Sequence, residues 1–224
     1  MASPKLSSRA LLACGVLAGP LYVTVTVIET LTREGFDWRH HRFSWLTTGE
    51  LGWIHQSAMV VVGLLWVLCA VGASQTLRTG RAAVWGPRLL ALFGVAYVVG
   101  GLLRADPVVG FPPGTTVEMA HTTWHGVVQD LSRSASTLFL LSASAVFAGW
   151  AAAEGRRGWA WFYGAGFFAV FAVFTAVGLV VGGNPVALPF LLTPWIYLTA
   201  LAVDLYRLET SRGTSDGLHK LATA

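Results

Sequence analysis

The sequence predicts an all-α polytopic membrane protein of six transmembrane helices with both termini in the cytoplasm. Hydrophobic residues make up 54% of the chain and charged residues only 12%, with a mean hydropathy of +0.61. An ordinary globular domain carries roughly 25% charged residues. The apolar residues also come in six runs of about 20, the length that crosses a hydrocarbon core near 30 Å. Finally, the basic residues sort by side. Lys5, Arg9, Arg78, Arg81, Arg88, Arg156, Arg157, Arg207, Arg212 and Lys220, ten of the fifteen Lys and Arg, fall on the side of the termini. The positive-inside rule places that side in the cytoplasm.

In chain order the runs cover about 10–30, 52–76, 84–104, 128–152, 159–182 and 186–206. The first has the length of a span, contains Pro20 and lacks a small-x-small cleavage site, so it reads as a retained helix and not a secretory signal. Cys14 and Cys69 both lie inside spans, as small buried apolar groups, and imply neither a disulfide framework nor a metal site. Gly178 and Gly182 form a GxxxG spacing that permits close helix packing. Residues 1–207 read as one six-helix domain, and 208–224 as a short polar tail expected to be disordered. The formal charge of +4 belongs to the cytoplasmic flank. No basic patch with interleaved aromatics suggests a nucleic-acid partner.

The connections differ in kind on the two sides. "ASQTLRTGRAAVWGPR" and "AAEGRRG" are basic tethers. "TLTREGFDWRHHRFSWLTTGELGWIHQ" and "LLRADPVVGFPPGTTVEMAHTTWHGVVQD" hold, in or beside them, five of six histidines (His40, His41, His55, His121 and His125). They also hold seven of eleven acids: Glu29, Glu34, Asp37, Glu50, Asp106, Glu118 and Asp130. A third outer connection, "GGNPVALP", is apolar and expected to tuck against the bundle. Chemistry is therefore expected at the outer mouth. Of the ten tryptophans, Trp38, Trp45, Trp53 and Trp124 fall on that side, either as an interfacial belt or as the lining of a site for an apolar or cationic ligand.

Thr115 stands three residues before Glu118, the spacing of a capping box, and predicts a fourth helix from near Thr116 to about Ala152. Along it Glu118, His121, His125, Gln129, Ser132 and Ser136 share one face within an arc of roughly 80°. Such a polar stripe needs partners or a water-filled cavity inside a bilayer. His121 and His125 at i,i+4 could chelate zinc with a third ligand from Asp106, Asp37 or His41, but a pair alone is weak, and a metal-free site is preferred. Asp130 with Arg133, and Asp204 with Arg207, read as structural pairs at helical spacing.

Asp37, Ser44, Leu46, Gly49, Gly52 and Trp53 in the first outer segment, and Asp106-Pro107, Gly-Phe-Pro-Pro-Gly and His125-Gly126 in the second, carry a resemblance. Over about residues 10–207 the chain resembles the bacterial integral membrane family catalogued as domain of unknown function nine-nine-eight. Members commonly place a polar residue or His one turn after the His-Gly pair, where this chain has Gln129. The resemblance implies a fold and a polar cluster, and no reaction.

The expected function is an integral membrane enzyme acting on a lipid-like or isoprenoid substrate by acid–base chemistry, for instance proton-initiated cyclisation or isomerisation. Asp106, His121, His125 and Asp37 are the candidate catalytic groups. Trp38, Trp45, Trp53, His55, Trp124 and Gln129 are the candidate substrate-binding groups. Membrane lipids and an apolar or amphiphilic small molecule are the expected partners, and the bacterial cytoplasmic membrane the expected location. A metal-dependent hydrolase, a small-solute transporter and a non-catalytic membrane component are the alternatives.

Overall fold

Long and short connections alternate along the chain. A computed structural model describes residues 7–179 and 187–222. Its helices are α1 (Ser8–Thr32), α2 (Gly52–Thr76), α3 (Gly80–Leu102), α4 (Trp124–Ala153), α5 (Arg157–Leu179) and α6 (Ala187–Ala222), with a short 3-10 helix over Phe43–Thr47. The described residues contain no β-strand beyond an isolated bridge between Val108 and Phe111. Each helix packs on the next and α6 returns to α1, so the six form a closed ring. α6 also touches α2 across the interior.

Helices α1 to α4 are each long and apolar enough to cross a membrane, which marks an integral membrane protein. Their faces explain how they associate. A Cβ on Gly63 of α2 would lie 2.5 Å from the Gly94 carbonyl oxygen of α3, and one on Gly94 would lie 2.6 Å from that of Gly63. Small residues thus let these backbones approach closely, the usual substitute for hydrophobic driving force between helices in lipid. Of the GxxxG pair singled out in the sequence, Gly182 lies outside the described residues, as does 182–186 of the third outer connection.

Three expectations change. α4 starts at Trp124, not near Thr116, because another set of contacts wins. The Thr115 hydroxyl donates to the Pro112 carbonyl at 2.7 Å instead of capping a helix. Thr123, held extended at φ −113°, ψ 162°, is the cap, its side chain accepting from the Gly126 amide. Asp204 pairs with Arg156 at the neighbouring α4–α5 connection and accepts from the Tyr163 hydroxyl at 2.7 Å, instead of pairing with Arg207. α6 remains helical to Ala222, past the boundary at residue 207 that hydropathy suggests. There Leu208 packs on the core and Arg212 donates to the Thr76 carbonyl. The Asp130–Arg133 pair forms as expected, at 3.5 Å.

Candidate functional site

The two long connections, 33–51 and 103–123, meet at one end of the bundle and cap it. Phe111 is buried between them, 5.3 Å from the Phe36 ring and 5.2 Å from His41. The Ala105 amide donates to the Thr47 hydroxyl at 2.9 Å. Arg33 clamps the first loop by donating to the carbonyls of Leu46 and Thr48.

Asp106 belongs to this scaffold. One carboxylate oxygen accepts from the Thr123 amide at 3.0 Å and the other from the Thr123 hydroxyl at 2.5 Å. A carboxylate at the N-terminus of α4 also complements the helix dipole. A Cβ at Gly126 would overlap that carboxylate, so Asp106 can sit there only because residue 126 is glycine. Asp37 caps its own turn. It accepts from the Arg39 amide at 2.8 Å and pairs with His40 Nδ1 at 2.7 Å. The Arg39 amide first, and His40 second, hold its carboxyl below the usual range. Burial pulls His41 downward, and its Nδ1 accepts from the Asp37 amide at 3.1 Å.

The expected stripe on α4 survives only in part. Glu118 and His121 precede the helix and are exposed, so they share no helical face with His125. His125 is exposed and stacks on Trp124, with ring centroids 3.9 Å apart. Gln129, Ser132 and Ser136 are buried, as the pattern requires. Trp53 and Trp124 are 60% and 66% exposed, on the exterior, whereas Trp38 and Trp45 are half-buried in the loop cap. Of the candidate residues, His55 and Gln129 alone are fully interior, at 0% and 1% exposure. Among the described residues no three His, Cys, Asp or Glu side chains converge as a metal site would need.

The buried chemistry gathers around His55. Its Nδ1 lies 2.7 Å from Oε2 of Glu29, and its Nε2 lies 3.3 Å from the Tyr22 hydroxyl. Glu29 sits in the last turn of α1 and His55 in the first turn of α2, and the packing of α1 on α2 brings them face to face. Arg33, one turn on from Glu29, approaches Oε1 at 3.6 Å. Below His55, the Tyr22, Tyr97 and Trp195 rings pack at centroid distances of 4.6 to 5.6 Å, and Phe93 and Trp66 extend the wall.

This order has a chemical consequence. A carboxylate accepting from Nδ1–H of a neutral ring leaves Nε2 unprotonated and facing the Tyr22 hydroxyl, the form of a general base. Several buried polar atoms nearby have no hydrogen-bond partner among the described residues: Glu29 Oε1, Arg33 Nη1, Gln129 Oε1 and Arg133 Nε. Native interiors rarely leave such groups unmet. Sequence reasoning recorded Glu29 and His55 but passed over Tyr22, Tyr97, Arg33 and Arg133 as partners. The available signal was a carboxylate ending one apolar run and an imidazole beginning the next, both at positions a bilayer makes costly.

Fold and site together define a class: an all-helical integral membrane bundle that encloses a buried carboxylate–imidazole–phenol chain beneath a two-loop cap. The family model described as "Protein of unknown function (DUF998)" matches residues 16–204, and the chain belongs to that family. No curated protein and no solved structure matches the chain.

Proposed function

We propose that this chain is a multi-pass enzyme of the bacterial cytoplasmic membrane that acts by acid–base chemistry on a lipid-like or isoprenoid substrate entering from the outer leaflet. The termini then lie in the cytoplasm, by the positive-inside rule, and the two-loop cap faces outward. The observation that carries the reading is the Glu29–His55–Tyr22 chain, buried at the capped end and bordered by unmet polar atoms. In the proposed roles His55 Nε2 takes a proton from the substrate. Glu29 orients the ring and stabilises the imidazolium, and Tyr22, displaced from Nε2, is the acid. The 3.3 Å contact to Tyr22 is long for O–H···N. Such contacts commonly tighten only when substrate is bound. Asp106 is the scaffold that holds α4 in place, and His121 and His125 line the rim.

Transport has less support. Ser132 and Ser136, which could line a polar path, each donate to a carbonyl of their own helix. Aromatic rings fill the interior beneath His55. The test is the lipid composition of membranes expressing wild type, His55→Gln or Asp106→Asn, read by mass spectrometry against empty vector. One lipid class should shift with wild type and with folded Asp106→Asn, and not with His55→Gln. A folded His55→Gln that matches wild type, or a wild type that leaves the lipids unchanged, overturns the proposal.

A further inference from the structure

The unmet atoms around His55 specify a ligand. Glu29 and Gln129 are 3% and 1% exposed, and each has one oxygen that accepts nothing from the described residues. Arg33 Nη1 and Arg133 Nε are buried donors with no acceptor among the described residues. Glu29 Oε1 and Arg33 Nη1 face one another at 3.6 Å, beyond hydrogen-bond reach. Gln129 and Arg133 are one turn apart on α4, whose Ser132 packs against Gly100 of α3. A Cβ on that glycine would lie 3.7 Å from Ser132 and 3.0 Å from Met59 of α2, one turn on from His55, which ties the α4 pair to the His55 side of the bundle.

Two requirements follow. The first is charge: Arg33 and Arg133 supply two guanidinium charges against one buried carboxylate, Glu29. Among the described residues the acid paired with Arg133 is Asp130, whose side chain is 54% exposed, where solvent screens it. The interior therefore favours an anion. The second is hydrogen: two orphaned acceptors need O–H or N–H donors, which a bare carboxylate lacks. A phosphate oxyanion that also carries a hydroxyl satisfies both sets at once, with its charged oxygens on the guanidiniums.

Resting on the acid–base reading of the same site, we infer that the site binds the headgroup of a phosphate-bearing amphiphile that also presents an O–H, either on the phosphate or on an attached polyol. The test uses purified full-length protein in detergent, with binding followed by native mass spectrometry. The probes are dioleoylphosphatidic acid, dioleoylphosphatidylglycerol, dioleoylphosphatidylcholine, dioleoylglycerol and inorganic phosphate. The two hydroxyl-bearing phospholipids should bind about tenfold or more tightly than dioleoylglycerol, and phosphatidylcholine should fall between. Inorganic phosphate should compete at high concentration if the headgroup alone is recognised. Inorganic phosphate that binds as tightly as the phospholipids would make the ligand free phosphate and overturn the inference.

Arg133→Gln, checked for an unchanged melting temperature, should abolish the preference. Arg157→Gln, exposed on the opposite side, should keep it. Equal binding of dioleoylglycerol, or a preference that survives in folded Arg133→Gln, overturns the inference. Binding is read without turnover, so the two proposals can fail separately. Anionic preference with an unchanged lipid profile would sink only the enzyme reading. His55-dependent turnover without that preference would sink only this one.

Discussion

At the scale of single residues, a group that looks catalytic in the sequence is tied into the fold. Asp106 beside Pro107, near two histidines, reads from sequence as an acid at a membrane mouth. In the structure its two oxygens are committed to Thr123 and its face to Gly126. Gly126→Ala should therefore destabilise the protein by about 2 kcal/mol or more, as overpacking against a fixed group does. In an Asp106→Ala background the same change should cost clearly less, because the overlapping carboxylate is gone. Thermal melts of the four proteins in the cycle check this, and additive costs would contradict it.

His41 gives a pH dependence with a definite sign. Burial lowers its pKa in the folded protein, and its Nδ1 accepts from the Asp37 amide, so the folded state holds it neutral. That contribution is complete above the unfolded value near ~6.5 and is lost as pH falls through the lower folded value. The protection factor of the Asp37 amide, its exchange corrected for the intrinsic pH dependence, should fall on mild acidification while the helices stay protected. An unchanged acid response in His41→Phe would contradict the assignment. Asp37, also lowered, loses its contribution only at more acidic pH, below its unfolded value near ~3.9.

At the scale of elements, hydropathy placed the four membrane-crossing helices α1 to α4, and the ends of α2 fall where the apolar run ends. What it could not place was the start of α4. Thr115 and Glu118 satisfy the spacing of a capping box, yet the deciding partner is Asp106, 17 residues before Thr123 in the chain. A local pattern cannot register a long-range cap. The α2–α3 contact was hidden for a related reason. Gly63 and Gly94 lie in different helices and form no motif in either, whereas Gly178 and Gly182 form one in a single segment. Gly94→Ala should push α3 from α2 and cost about 1–3 kcal/mol. Gly149→Ala, with open space around the added methyl group, should be nearly neutral. Equal melting temperatures for the two variants would contradict the close approach.

At the scale of the whole molecule, the ring closure of α6 on α1 is what turns scattered polar residues into one site. Glu29 from α1, His55 from α2, Tyr97 from α3 and Trp195 from α6 lie far apart in sequence and meet only because the helices form a ring. The sequence showed that ionisable groups gather at one end of a membrane bundle. It did not show which of them point inward, since exposed His121 and His125 and buried His55 look alike in a hydropathy profile. At the opposite end, Asp204, Arg156 and Tyr163 tie α6 to the α4–α5 corner, with Arg156 seated between the Trp150 and Trp159 rings.

Glu29 is expected to hold His55 protonated at Nδ1, with Nε2 unprotonated toward the Tyr22 hydroxyl. Nitrogen-15 NMR of the histidine side chains, at mildly alkaline pH in lipid, reads this directly with His55→Gln assigning the signal. The account predicts a neutral ring protonated at Nδ1, and in Glu29→Gln a loss of that fixed tautomer. A ring protonated at Nε2, or on both nitrogens throughout, would make the Glu29–His55 contact a structural pair and contradict the assignment.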